Sequence, residues 1–165
     1  MLRVKTERQG AAAKVGHDLV IEVTAWSATL EVGEDSEPLR LELDADAGSL
    51  RVREGTGGVQ ALGDDDRADI ERTIEHEVLM RKAIEFRSTA IEAADDGRLI
   101  VAGDLQMAGG NHSVKFELTL APDGGIAGAA VVKQSDWGIK PYSALFGALK
   151  VKDEVEIEFS TDTQS

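Results

Sequence analysis

RLIVAGDLQMAGGNHSVKFELTL, residues 98–120, alternates apolar and polar side chains on both sides of a glycine-rich break. Leu99, Val101, Gly103, Leu105 and Met107 share one side of the first run. Val114, Phe116, Leu118 and Leu120 share one side of the second, against Lys115, Glu117 and Thr119. A period of two belongs to a strand with one buried face. Gly109-Gly110-Asn111 between the runs is turn chemistry, so the stretch reads as two antiparallel strands joined in a hairpin.

The same period extends in both directions. LVIEVTAW sets Leu19, Ile21, Val23 and Ala25 against Val20, Glu22, Thr24 and Trp26, and LRLELDA sets Leu39, Leu41 and Leu43 against Arg40, Glu42 and Asp44. Leu50 and Val52 continue the pattern after a break at Ala47-Gly48, a turn or a bulge. AIEFRST presents Ile84 and Phe86, and DEVEIEF presents Val155, Ile157 and Phe159. Asp95-Asp96-Gly97 and Pro122-Asp123-Gly124-Gly125 supply further turns.

One segment departs from this period. DDDRADIERTIEHEVLM places Ile70, Ile74 and Val78 on a single helical stripe, with three aspartates at the positive end of the dipole and Glu77 four residues before Arg81. The expectation is a mainly β single domain over 1–165, with a helix at about 64–80 inserted between two groups of antiparallel strands. About eight strands suit either a sandwich or a closed barrel, and the period alone leaves both open.

Composition narrows the function. A net charge of −13 weighs against nucleic acid and anionic membrane surfaces as main partners. A basic start (Arg3, Lys5, Arg8 and Lys14 against Glu7 within residues 1–17) reads as a solvated first strand. With no cysteine, disulfides and thiolate metal sites are excluded. No run approaches the ~18 apolar residues of a membrane span, and the start lacks a signal-like apolar stretch. A cytoplasmic protein without stable membrane insertion is expected.

Catalytic patterns are thin. His17, His76 and His112 lie outside any HExxH or i, i+4 spacing, so no metal site is assigned. His17 and Asp18 are adjacent on a strand and face opposite ways. GDDD at 63–66 lacks the alternation of a calcium loop, and GTGG at 55–58 lacks the Lys-Ser/Thr of a phosphate loop. No catalytic residue, metal or cofactor is expected. What remains is the interior: a small barrel can hold one apolar ligand, and inward candidates as small as Ala25, Gly103 and Ala130 suit an open cavity.

Four short phrases, in order over about residues 15–160, carry a resemblance. GHDLVIEV presents His17 and Val20 of an H-S-x-V strand, with Asp18 at the serine. KAIEFRST presents Ile84, Phe86, Ser88 and Thr89 of P-x-I-x-F-x-S-T, with Lys82 at the proline. GDLQMAG presents Gly103, Leu105, Met107 and Gly109 of G-x-L-T-I-x-G. QSDWGI presents Asp136, Trp137, Gly138 and Ile139, with Gln134 at the family's arginine, and KDEVEIEF follows with Asp153, Val155 and Ile157. The chain resembles the YceI-like family of lipocalin-like, polyisoprenoid-binding barrels.

The resemblance implies an eight-stranded antiparallel barrel that binds an apolar lipid, a polyisoprenoid or isoprenoid quinone, without catalysis. The ligand-binding residues it implies are Ile84, Phe86, Leu105, Met107, Val114, Phe116 and Leu118, with Trp137, Tyr142 and Phe146 toward an end. These last three stand in a stretch broken by Gly138, Pro141 and Gly147, which reads as a corner at the barrel rim. Two alternatives accompany this reading. One is a closed-core barrel acting as an interaction module or homodimer through its basic start. The other is a barrel enzyme on a small apolar substrate, with Asp136 or a buried histidine as acid/base.

Overall fold

The computed structural model describes residues 1–144, 147 and 149–161. In chain order its elements are β1 (Leu2–Thr6), β2 (Arg8–Gln9), β3 (Asp18–Val23), β4 (Trp26–Val32), β5 (Pro38–Ala45) and β6 (Leu50–Thr56). Helix α1 (Asp64–Thr73) follows, then β7 (Ile84–Ala93), β8 (Arg98–Met107), β9 (Gly110–Leu120) and β10 (Ile126–Lys133). The short strands β11 (Ser143–Ala144) and β12 (Leu149–Val151) precede β13 (Glu154–Thr161).

The 98–120 stretch is the expected hairpin, paired from Arg98↔Thr119 to Met107↔Gly110. Its turn is one residue earlier than the glycines suggest. Ala108 (φ 52°) and Gly109 (φ 76°) are its two central residues, the all-positive geometry of a type I′ turn. Gly110 already belongs to β9, where a Cβ would lie 2.8 Å from the Trp137 carbonyl oxygen.

Ten segments form one antiparallel sheet in the order β4-β5-β7-β8-β9-β10-β13-β1-β3-β6. Its two ends belong to the same pair of strands. Only Thr24 and Ala25 separate β3 from β4, and a 3-10 turn at Ala47–Ser49 joins β5 to β6. Segments β3 and β6 pair from Asp18↔Thr56 to Val23↔Leu50, and β4 and β5 from Trp26↔Ala45 outward. At the corner the Thr24 amide donates to Ser49 O (2.9 Å) and the Asp46 amide to Ala25 O (3.0 Å). Counted as two bent strands, the ten segments become eight. Because β5 pairs with β7 and β3 with β1, the circuit of strands closes as a strongly curled barrel.

The corner also inverts which side chains face inward. Ile21 and Val23 are buried, whereas beyond the bend Trp26 and Leu30 pack on the core. Trp26 therefore faces the same interior as Ile21, against the expectation of uninterrupted alternation, because the two corner residues shift the pleat by one.

Segment β6 has no strand on its outer edge, and α1 takes that place. Glu71 Oε1 accepts from the Val52 amide (2.9 Å), and Arg67 Nη1 donates to the Val52 and Arg53 carbonyls (3.3 Å each). Side chains thus satisfy an edge that would otherwise invite pairing. The helix starts at Gly63, whose amide donates to Asp66 Oδ2 (3.0 Å). It is α-helical to Thr73 and then widens into a π turn over Ile74–Val78. Met80 (φ 53°) and Arg81 (φ 56°) turn left-handed. This takes Arg81 to Glu75 (3.3 Å) instead of the expected Glu77.

Candidate functional site

The inward faces of a barrel this small either meet and fill it or stand apart. Here they stand apart around a cavity of about 730 Å³. Every second residue of β1 up to Thr6 lines it, as do Ile21 and Val23 of β3 and Ile157 and Phe159 of β13. The stripe Ile70, Ile74 and Val78 forms another part of the wall, so the helix closes the cavity as well as the β6 edge. Phe86 and Phe116, with ring centroids 5.4 Å apart, stand together on one side. Phe159 lines the wall, and the Trp26 ring packs edge-on behind it at 5.7 Å.

The expected ligand-binding residues fall into three groups. Ile84, Phe86, Leu105, Met107, Val114, Phe116 and Leu118 all line the cavity, brought together by β7, β8 and β9. Tyr142 lines it from the rim, 58% exposed, with its carbonyl accepting from the Val151 amide (3.0 Å). Trp137 is buried outside the lining, and its Nε1 donates to the Leu105 carbonyl oxygen (2.7 Å) while its ring packs on His112. Phe146 lies outside the described residues.

Of the small residues read as inward, Ala130 lines the cavity; Gly103 and Ala25 do not. Gly103 has another reason to be small. A Cβ there would lie 2.4 Å from the Arg87 carbonyl oxygen and 2.6 Å from the Phe86 ring. Leu2, Val4, Ile21, Ile157 and Phe159 are lining residues beyond those expected, although the alternation in LRVKT and EVEIEF marks their inward faces.

The cavity opens where its lining is exposed. Val15 (44%) and Val59 (76%) join Tyr142 there. One lip is the loop from Gly57 to Gly63 with the start of α1. The other is a small sheet, β11-β12-β2, and the 3-10 turn Ala13–Val15. Arg8 Nη1 ties the two lips to the barrel through Gly16 O (2.9 Å) and Thr56 O (2.8 Å). His17 Nε2 lies 2.7 Å from the Gln60 carbonyl oxygen.

The motif residues are accounted for by these contacts. Asp18 Oδ1 accepts from the Arg8 amide (2.8 Å), pinning β2 to the barrel. Gln134 Nε2 donates to Lys152 O (3.1 Å), and the Ser135 amide donates to Asp153 Oδ1 (2.8 Å), clamping the turn that carries Trp137 against β13. The hydroxyl and amide of Ser135 hold the Asp153 carboxyl below its ordinary range. Lys152, hydrogen-bonded to Glu7 (2.6 Å), is pushed up. Among the described residues no cluster of three or more His, Asp or Glu could hold a metal ion, and no helix is long and apolar enough to cross a membrane.

Comparison with known proteins agrees with this architecture. The family description "YceI-like domain" matches residues 3–163. The crystal structure of Burkholderia cenocepacia BcnA is 17% identical, with a TM-score of 0.68 over 96% of this chain and 94% of that one. The Campylobacter jejuni YceI protein is 13% identical, with a TM-score of 0.55 over 87% of this chain and 85% of that one. At these identities the likeness is one of fold. No curated protein matches the sequence.

Proposed function

The chain belongs to the YceI-like family, and from that premise we propose that it binds an apolar lipid inside the barrel without catalysis. A polyisoprenoid or isoprenoid quinone is the ligand we favour. The observation that supports this reading is the cavity: about 730 Å³, lined mainly by aliphatic and phenyl side chains, with polar residues such as Arg8, His17 and Asp66 among the rest, and open at one end. Ligand pockets span roughly 300–1,000 Å³. Water is a poor filler against such walls, whereas each buried methylene of a lipid chain contributes about 0.8 kcal/mol.

A filled core acting only as an interaction module fits this interior poorly. Organic extraction of the purified protein followed by mass spectrometry tests the proposal. A co-purified prenyl lipid, or saturable binding of a prenol or quinone added afterwards, is expected. Neither appearing would overturn it. A cytoplasmic setting belongs to the same proposal and is checked by fractionating cells that express the full-length protein.

A further inference from the structure

The wall of the cavity formed by residues 57–82 differs in construction from the rest. Around most of the rest of the barrel the wall is made of strands held by backbone ladders to their neighbours. Here no strand joins β6 to β7, and the gap is spanned by a loop, α1 and a π turn. No residue of α1 or of the π turn is fully buried, although their apolar stripe faces the cavity.

Both ends of this segment have hinge geometry. At the entry Gly57 (φ 82°) and Gly58 (φ 73°) are consecutive left-handed glycines. At the exit, after the π turn, Met80 and Arg81 are consecutive left-handed residues with side chains, a conformation that costs energy where no glycine stands. Leu79, buried at 6% exposure, anchors the exit. Between the hinges the ties to the β6 edge are side-chain bonds: Glu71 to the Val52 amide, and Arg67 to two carbonyls at 3.3 Å. At the lip, Gln60 O meets His17, and Leu62 packs over Gly55, where a Cβ would lie 2.3 Å from its Cδ1.

We propose that residues 57–82 form a hinged flap that swings from the β6 edge to admit and release the ligand. The inference rests on the ligand-binding reading above and adds the route. Val59, the most exposed apolar residue at the rim, sits on the flap's leading edge. Opening breaks the Glu71 and Arg67 bonds and leaves the eight-strand circuit untouched. It also lets Met80 and Arg81 leave the left-handed region.

The flap is tested by stopped-flow exchange of phenylnaphthylamine, a neutral fluorophore that brightens in apolar surroundings, with the whole chain. A gate alters both rates together and leaves the equilibrium unchanged, whereas a wall residue alters affinity. Glu71→Ala should raise association and dissociation rates each about tenfold, the worth of one such hydrogen bond, with Kd unchanged. Glu71→Gln keeps an acceptor for Val52 and should restore the original rates. A changed Kd with an unchanged association rate would overturn the proposal.

Hydrogen exchange on the unaltered protein provides a reading that needs no variant. Amides of 64–78 should exchange by local opening while β8 and β9 stay protected, and should slow when the cavity is filled. Exchange of α1 only together with global unfolding would also overturn the flap. If the fluorophore and added prenols fail to bind at all, the ligand-binding reading fails; if they bind and Glu71→Ala leaves both rates unchanged, only the flap does.

Discussion

At the scale of single residues, small side chains in this protein answer to particular neighbours. Gly103 is the clearest case: it makes room for the Phe86 ring at a place where alternation alone marks an ordinary inward position. Gly103→Ala should destabilise the protein by about 1–3 kcal/mol, the usual cost of overpacking, measured by denaturant unfolding. Asp153 carries a pH-dependent contribution. Its folded pKa is depressed by bonds from Ser135, so its stabilisation is complete above the ordinary carboxylate range and disappears as pH falls through the folded value. Asp153→Asn should therefore melt below the unaltered chain at neutral pH, and the gap should narrow in acid, read by thermal unfolding at both pH values. Residue chemistry was partly legible: Ile84, Phe86 and Leu105 were placed by period, whereas the burial of Trp137 outside the cavity depends on a carbonyl from a distant strand.

At the scale of elements, legibility followed locality. The 98–120 hairpin could be read because its period and its turn lie within one short stretch. The corner at Thr24-Ala25 could not, since LVIEVTAW runs on without a glycine or proline, and its bend is imposed by partners at Asp46 and Ser49. The helix was legible in its stripe. Its π ending and the edge it covers depend on Val52 and Arg53, which sequence spacing does not connect to it. Ala108, left-handed in the β8–β9 turn, offers a direct test of turn chemistry. Ala108→Gly should stabilise the hairpin by about 0.5–1 kcal/mol, read as a higher denaturation midpoint with an unchanged m-value.

At the scale of the whole molecule, strand order and cavity determine one another. Eight strands give a barrel whose interior is near the limit that side chains can fill, and β10 contributes Gly128 and Ala130 where larger residues would close the space. Ala130→Phe should weaken phenylnaphthylamine binding at least about tenfold while the melting temperature stays level or rises, because the ring fills volume now left to ligand. A lowered melting temperature with intact binding would place the ligand elsewhere. The position of β1 between β13 and β3 has a further consequence, for synthesis. Leu2 cannot pair with Phe159 until every strand between β1 and β13 has been made. Until then the native circuit of strands stays open between β1 and β13. The apolar inner faces of the earlier strands therefore stay outside their native circuit until β13 has been made, an interval in which non-native pairing competes.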